Sequence, residues 1–254
     1  MNKELLIRNF SRYAATYDQH AFIQRHTAQE LLEKMGEGNF KQILEIGSGT
    51  GNYSLLLRER FRQARIVSVD ISQRMNEVAA EKLKDKNIEL ITADAESFDP
   101  KEKFDLITSN ASFQWFTDIA QALASYRGLL KKDGVIAFSI FGPHTLWELN
   151  SALKALFKDS NSTTEKFTSK EDITGILEQH FQGVRIKEAI YKENFSSLSE
   201  LLNLIKFTGV RGDGLGNKLY FGRKLIKSLE EHYLEKFQRI EATYQVFFCQ
   251  GKAS

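Results

Sequence analysis

The run Ile43-Leu44-Glu45-Ile46-Gly47-Ser48-Gly49-Thr50-Gly51 limits what this chain can fold into more than any other segment. An apolar β-forming stretch (Ile43, Leu44, Ile46) ends in glycines at three alternate positions, and a helical pattern from Asn52 to Phe61 begins at once. Glycine reaches positive φ without steric cost and lets another group approach the backbone closely. The helix start adds N–H groups that have no partner within the helix. Strand, glycine turn and helix N-terminus together make a cradle for a nucleotide-like ligand. Spacing narrows the choice of ligand. A dinucleotide fingerprint needs its third glycine one position later, where this chain has Asn52. Glu45 precedes the first glycine by two, which gives E-x-G-x-G-x-G.

Acids and amides recur in phase with that loop. Ala64 to Asp70 is a β-rich run ending in a carboxylate 70 − 51 = 19 residues past the last glycine. That is the distance at which a strand-end acid can hold a ribose diol through paired hydrogen bonds. Ile88 to Asp94 is a third such run, Phe104 to Asn110 a fourth ending in a carboxamide, and Val135 to Ile140 a fifth behind a Lys-Asp-Gly turn. Helical patterns, Gln73 to Lys84 and Asp118 to Leu130, separate them. Strands alternating with helices predict an α/β fold with a Rossmann-like, doubly wound parallel sheet. Ligands bind at the carboxyl ends of such strands, and Glu45, Asp70, Asp94 and Asn110 fall at or near them.

Further along, Val184 to Tyr191 predicts a sixth strand and Ala242 to Cys249 a seventh, which makes one domain over 1–254. Residues 3 to 35 read as helices, a leading lid of about 1–36. Phe10, Tyr13, Ala14 and Tyr17 recur there at helical spacing. Phe10 is expected to pack on the core; for Tyr17, packing and a lid role both stay open. Surplus helices, roughly 144–166 and 194–238, are expected to form a small cap inserted in the C-terminal half. The glycine-rich stretch from Thr208 to Asn217 is a gate or a plain surface loop. Ser169 followed by Asp172 predicts a helix start.

Composition sets limits. With 254 residues, 42% of them hydrophobic, the chain can bury a full core. A net charge of +2 sets up no field that demands nucleic acid. No apolar run approaches the roughly 20 residues of a membrane span. A lone cysteine, Cys249, forms no internal disulfide. A cytoplasmic monomer, with neither nucleic acid nor membrane as partner, is the expectation.

The glycine loop with its leading glutamate resembles the first motif of class I S-adenosylmethionine-dependent methyltransferases. Transfer of a methyl group from a sulfonium requires alignment of nucleophile, methyl carbon and leaving sulfur, and exclusion of water. No metal-ligand spacing is present, and His20, His26, His144, His180 and His232 are scattered; His144, just after the fifth strand, is the one worth following. The fourth strand continues as Ser109-Asn110-Ala111-Ser112-Phe113-Gln114-Trp115 and lacks the Asn/Asp-Pro-Pro-aromatic pattern of amino-methylating nucleic-acid enzymes. An acidic oxygen nucleophile, which needs positioning and no base, suits these residues.

Three segments resemble a narrower family. They are Tyr13-Ala14-Ala15-Thr16-Tyr17-Asp18-Gln19-His20-Ala21 with Gln24, the Ser109 to Trp115 segment, and Phe138-Ser139-Ile140-Phe141-Gly142-Pro143-His144-Thr145-Leu146-Trp147-Glu148-Leu149. They are similar to the malonyl-[acyl-carrier-protein] O-methyltransferases of biotin synthesis, as are Phe195, Leu201-Leu202, Lys206, Gly209 and Ala242-Thr243-Tyr244. The resemblance spans nearly the whole chain. Asn110 to Trp115 is also similar to trans-aconitate methyltransferases. Lys131-Lys132-Asp133-Gly134 departs from the family's usual turn. The resemblance implies that the free carboxylate of a malonyl thioester becomes a methyl ester and S-adenosylhomocysteine is released, with acyl carrier protein as partner.

The residues expected around S-adenosylmethionine are Glu45, Gly47, Ser48, Gly49, Gly51, Asp70, Ile71, Met75, Asp94, Ala95, Asn110, Ser112 and Gln114, with no metal. Tyr17, Tyr244, Lys206 and His144 are candidates for positioning the acid, and Arg185 and Arg211 are further candidate cations. Arg211, Arg223 and Lys227, near Lys218 and Lys224, are expected on the carrier side. A methyltransferase for a free small acid such as trans-aconitate, and a non-catalytic S-adenosylmethionine-binding protein, stay open as alternatives.

Overall fold

The computed structural model describes residues 2–156, 164–208 and 222–254, and only the backbone of Arg223. The expected gate beyond Thr208, including Arg211, lies outside the described residues, as does the cap segment 157–163. Seven strands form one sheet in the order β3-β2-β1-β4-β5-β7-β6. They are β1 (Gln42–Ile46), β2 (Arg65–Asp70), β3 (Ile88–Thr92), β4 (Phe104–Asn110), β5 (Leu130–Phe141), β6 (Gln182–Phe195) and β7 (Ile240–Lys252). The chain order reverses between β1 and β4, and this crevice is where a doubly wound sheet offers its ligand site.

The central strands are buried on both faces because helices cover both. In β1 the four residues from Ile43 to Ile46 are inaccessible, Glu45 included. One layer contains α3 (Phe22–Met35) and α4 (Asn52–Arg60); Leu31, Leu32, Tyr53 and Leu57 pack there with Ile43, Ile66 and Leu106. On the other face Leu123 and Tyr126 of α6 (Ile119–Leu129) and Ile173 and Leu177 of α8 (Lys170–His180) meet Leu44, Ile107, Ile136 and Phe138. Helix starts follow local chemistry. Ser72, Asp118 and Ser169 accept the N–H of Met75, Gln121 and Asp172, capping α5 (Gln73–Lys82), α6 and α8.

Three boundaries differ from the sequence reading. β7 runs antiparallel to both β5 and β6, so the sheet is parallel only up to β5. β6 is 14 residues long against the shorter run expected, because an edge strand alternates exposed and half-buried residues and shows no continuous apolar signal. β5 begins at Leu130: the Lys131 to Gly134 turn, with Asp133 at φ +61°, lies within it as an irregularity in its pairing with β4.

The leading segment is three helices, α1 (Lys3–Tyr13), α2 (Tyr17–His20) and α3. In the C-terminal half, α7 (Trp147–Leu156) meets α10 (Arg223–Phe237) through Trp147 and Phe237, edge to face at 5.2 Å. α9 (Leu198–Phe207) meets the leading helices, where His20 stacks on Phe207 at 4.5 Å and Tyr13 meets it edge-on at 5.3 Å.

Candidate active site

The three glycines of the loop after β1 are needed for three separate reasons. All have positive φ: +73° at Gly47, +54° at Gly49 and +81° at Gly51. A Cβ on Gly47 would lie 2.1 Å from Ser112 Oγ, and one on Gly51 would lie 2.9 Å from Leu83 on the helix behind. A Cβ on Gly49 would meet nothing within 4 Å. Gly49 borders a cavity of about 900 Å³, measured out to its open mouth, at the carboxyl ends of β1, β2 and β4.

Asp70 ties the loop to the second strand. One oxygen accepts from the Gly49 N–H at 2.8 Å and the other from the Ser72 N–H at 2.8 Å. Burial pushes its carboxyl up, and the two N–H donors oppose that. A carboxylate has about four acceptor sites, so two remain for donors arriving from the cavity. Ile71 and Met75 form apolar wall beside it, and Asp94, Ala95, Ser112 and Gln114 complete much of the rim. Gln114 donates to Ala111 O at 2.6 Å while its Oε1 is buried without a partner. Asn110 also lines the cavity but its amide is occupied: it accepts from Thr27 and Ser139 and donates to Gln24 O. Its role is to hold α3 over the ends of β4 and β5.

Three of the predicted residues stand back from this cavity. Glu45 lies wholly buried beneath the loop, accepting from Ser54 Oγ at 2.5 Å and Ser68 Oγ at 2.6 Å, with its other oxygen unpartnered. Burial raises its pKa to about 7, against the pull of the two hydroxyls. Its β-strand alternation turns it away from the strand-end crevice. Ser48 opens on an adjoining groove shared with Tyr17 and Thr50. Gly51 is the packing glycine against the helix that follows β2.

Sequence reasoning missed how the leading helices are fastened. Lys3 pairs with Asp94 at 2.6 Å and with Glu96, and these carboxylates raise its pKa although burial opposes them. Ser11 meets Ser72 at 2.8 Å, Oγ to Oγ. Asp18 accepts from Lys82 at 2.6 Å, from Thr50 and from Asn52; these partners outweigh the burial that would raise its carboxyl, and hold it below the usual range. The leading helices are thus bonded to the three loops that form the cradle. Leu6, Phe10 and Tyr17 form a roof on the cavity with Trp115; Phe10, expected to be core, meets Trp115 at 6.1 Å and serves both purposes. Burial, then Asp18 and Asp70, push the Tyr17 hydroxyl's pKa up.

Gln24, Phe141 and Thr208 line both the cavity and a narrow recess that adjoins it. The recess has apolar walls, Ile23, Leu146, Phe167 and Leu204 among them, and includes Tyr244 and Glu193. The Tyr244 hydroxyl is buried without a partner. The other positioning candidates lie elsewhere. Lys206 extends over the rings of Tyr13 and Phe207, at 6.0 and 5.5 Å. His144 is exposed and stacks on Trp147 at 5.1 Å. Arg185 bonds Gln250 across β6 and β7. Lys227 is exposed on α10, 3.9 Å from Glu231.

The cavity fits S-adenosylmethionine. It offers a glycine edge that any side chain would fill, an acid with two free acceptor sites beside that edge, and an unpartnered amide oxygen. Among the described residues no cluster of three or more His, Cys, Asp or Glu is placed to hold a metal. Residues 43–134 match the family described as a methyltransferase domain. The fold is that of an S-adenosylmethionine-dependent methyltransferase from Thermotoga maritima (TM-score 0.58, 16% identity, 98% of this chain and 100% of that one). It is also that of the Haemonchus contortus phosphoethanolamine N-methyltransferase 2 complex with S-adenosylhomocysteine (TM-score 0.58, 18% identity, 90% of this chain and 53% of that one). Fold and cradle together define a class I S-adenosylmethionine-dependent methyltransferase. The sequence carries the assignment further, since malonyl-[acyl-carrier protein] O-methyltransferase 1 of Ilyobacter polytropus is 38% identical over 93% of this chain and 88% of its own length. An Acetivibrio thermocellus relative of the same name is 31% identical over 99% of this chain and 94% of its own length. The chain belongs to the malonyl-[acyl-carrier protein] O-methyltransferase family.

Proposed function

We propose that this protein methylates the free carboxylate of a malonyl group carried as a thioester on acyl carrier protein, an early step of biotin synthesis. The observation that carries the reading is the chemistry of the recess beside the cradle. Its walls are largely apolar, and Glu193 and His20 line it but no described lysine or arginine does. A carboxylate oxygen attacks the methyl carbon as the carbon–sulfur bond breaks and its electron pair stays on sulfur, so no proton moves and no base is needed. The reaction joins a sulfonium and a carboxylate into two neutral products. Surroundings that solvate charge poorly favour such a step over its charged ground state.

The residues divide the work. Gly47, Gly49, Asp70, Ile71, Met75, Asp94, Ala95, Ser112 and Gln114 hold the cofactor, which supplies the electrophilic methyl. Glu45, Ser48, Gly51 and Asn110 support that shell from behind. The lid, about 1–36, excludes water from above, and the helices of about 144–166 and 194–238 cap the acyl side. The exposed Lys224 and Lys227 face the acidic carrier, whose pantetheine arm delivers the malonyl group; Arg211 and Arg223 are proposed for the same surface. The reaction belongs in the cytoplasm, where carrier protein and a reduced Cys249 coexist. The described helices include none long and apolar enough to cross a membrane.

The test offers purified protein labelled S-adenosylmethionine with malonyl-carrier protein, malonyl-CoA or trans-aconitate. A base-labile methyl ester on the malonyl thioesters, with little on trans-aconitate, is the expected result. Preferential labelling of trans-aconitate, or cofactor binding without turnover of any acid, would contradict it.

A further inference from the structure

We infer that Tyr244 positions the malonyl carboxylate, and that it does so as a neutral donor in a recess without a counter-charge. The inference rests on the proposed reaction and adds how its substrate is held. Tyr244 lies in β7 and is 6% exposed, its ring packed near Phe141 at 6.2 Å. Tyr244 lines the recess, and its buried hydroxyl has no hydrogen-bond partner among the described residues. A buried hydroxyl without a partner is destabilising relative to one that is paired. Such a cost persists where a ligand repays it. The neighbouring Gln24 Oε1, on the shared wall between recess and cavity, is buried and unpartnered as well.

The other polar groups of the recess are bonded within the protein, of the wrong sign or, for His20, held with its ring stacked on Phe207 at 4.5 Å. The Thr208 hydroxyl donates to Leu204 O, and the Thr145 hydroxyl donates to Gln245 O. Glu193 is an acid, and burial followed by the nearby Glu200 pushes its carboxyl up. Lys206 directs its ammonium over aromatic rings outside the recess. A carboxylate entering from the cavity side therefore meets Glu193, the stacked ring of His20 and no described lysine or arginine, and the buried Tyr244 hydroxyl is the donor without a partner among the described residues. This choice suits the reaction. A fixed ammonium would stabilise the full charge of the bound acid more than the reduced charge of the transition state, and so would raise the barrier. A neutral hydroxyl orients the acid at less cost to its nucleophilicity.

The test compares Tyr244→Phe and Lys206→Met with the unchanged protein, using malonyl-carrier protein. Tyr244→Phe should raise KM roughly tenfold or more, since a hydrogen bond to a charged group is lost, while kcat stays within about twofold. The dissociation constant for S-adenosylhomocysteine should stay within about twofold. The melting temperature of the ligand-free variant should hold or rise, because an unpartnered buried hydroxyl has gone. Lys206→Met should leave KM within about threefold. A purely structural tyrosine would lower the melting temperature and leave KM alone. An unchanged KM in a folded Tyr244→Phe protein, or a large KM increase in Lys206→Met alone, would overturn the assignment of Tyr244. Failure of the unchanged protein to methylate any malonyl thioester would overturn the reading beneath it as well.

Discussion

The two cavities under the leading helices follow opposite electrostatic plans. Around the cofactor cradle, charge is dense and paired: Asp70 is bonded to two backbone N–H groups, Asp94 to Lys3, and Asp18 to Lys82. Around the recess, charge is sparse, and two of its lining residues, Gln24 and Tyr244, carry buried polar atoms without partners among the described residues. A shell of paired acids suits a ligand that brings hydroxyls, an amino group and a sulfonium. A dry recess with a free donor suits a ligand that brings one negative charge and loses it in the reaction. On the proposed reading, one site separates the binding of the methyl donor from the neutralisation of the acceptor.

The largest expected effect lies at the loop on which the first plan depends. Gly49→Val places a branched side chain at φ +54° and into the cavity. Cofactor affinity should fall by roughly a hundredfold or more, and stability by about 1–2 kcal/mol from the left-handed backbone. Calorimetry with S-adenosylhomocysteine and a thermal melt report the two separately. Retained affinity in the folded variant would mean that the void beside Gly49 is not the cofactor's.

Next in size is a pH effect from Glu45. Its pKa is about 7 in the folded chain against 4.5 for the free side chain. The unfolded chain therefore holds fewer protons between these values, and stability falls as pH rises through them, levelling off above about 7. The difference amounts to at most roughly 3 kcal/mol, at about 1.36 kcal/mol per unit. Denaturant unfolding from pH 4.5 to 8 should show this slope in the unchanged protein and lose it in Glu45→Gln. Equal slopes would indicate that Glu45 is ionised and paired in the fold, like the acids around it.

The fastening of the leading helices comes third. The Lys3 ion pairs are partly exposed, each worth about 0.2–1 kcal/mol. Lys3→Ala should speed release of S-adenosylhomocysteine two- to fivefold in stopped flow while lowering the melting temperature by only about a few degrees. The smallest effect is at the carrier face. Lys224→Glu with Lys227→Glu should lower kcat/KM for malonyl-carrier protein a few-fold, less for malonyl-CoA, and the loss should shrink with salt as screening sets in beyond about 8 Å. Glu230, Glu231 and Glu235 share that helix and weaken its field. Equal losses for both thioesters would point to damage in the cap.

The first plan was far more legible in the sequence than the second. Gly47, Gly49, Asp70 and Asp94, which line the cavity, stand out because their positions follow from local spacing along strand, turn and helix. Lys3, Asp18 and Lys82 do not, because their partners are 91 and 64 residues away and helical periodicity gives a face without saying what it meets. Glu45 stood at the correct position in its motif, but the alternation of a strand so short does not say which side carries the crevice. Tyr244 became one candidate of four only by resemblance; what sets it apart, a hydroxyl without a partner beside a recess, is a property of packing. The reversal of β7 was hidden likewise, since an apolar strand reads the same in either direction.

The division between the two cavities is tested most directly by titrating S-adenosylhomocysteine into Asp70→Ala and Tyr244→Phe under identical conditions. Asp70→Ala should weaken binding by roughly tenfold or more, as hydrogen bonds to a carboxylate worth about 1.5–3 kcal/mol each are lost, while its KM for malonyl-carrier protein at saturating cofactor changes little. Tyr244→Phe should bind S-adenosylhomocysteine within about twofold of the unchanged protein. Comparable losses of cofactor affinity in both variants would contradict the account, because cradle and recess would then be a single site.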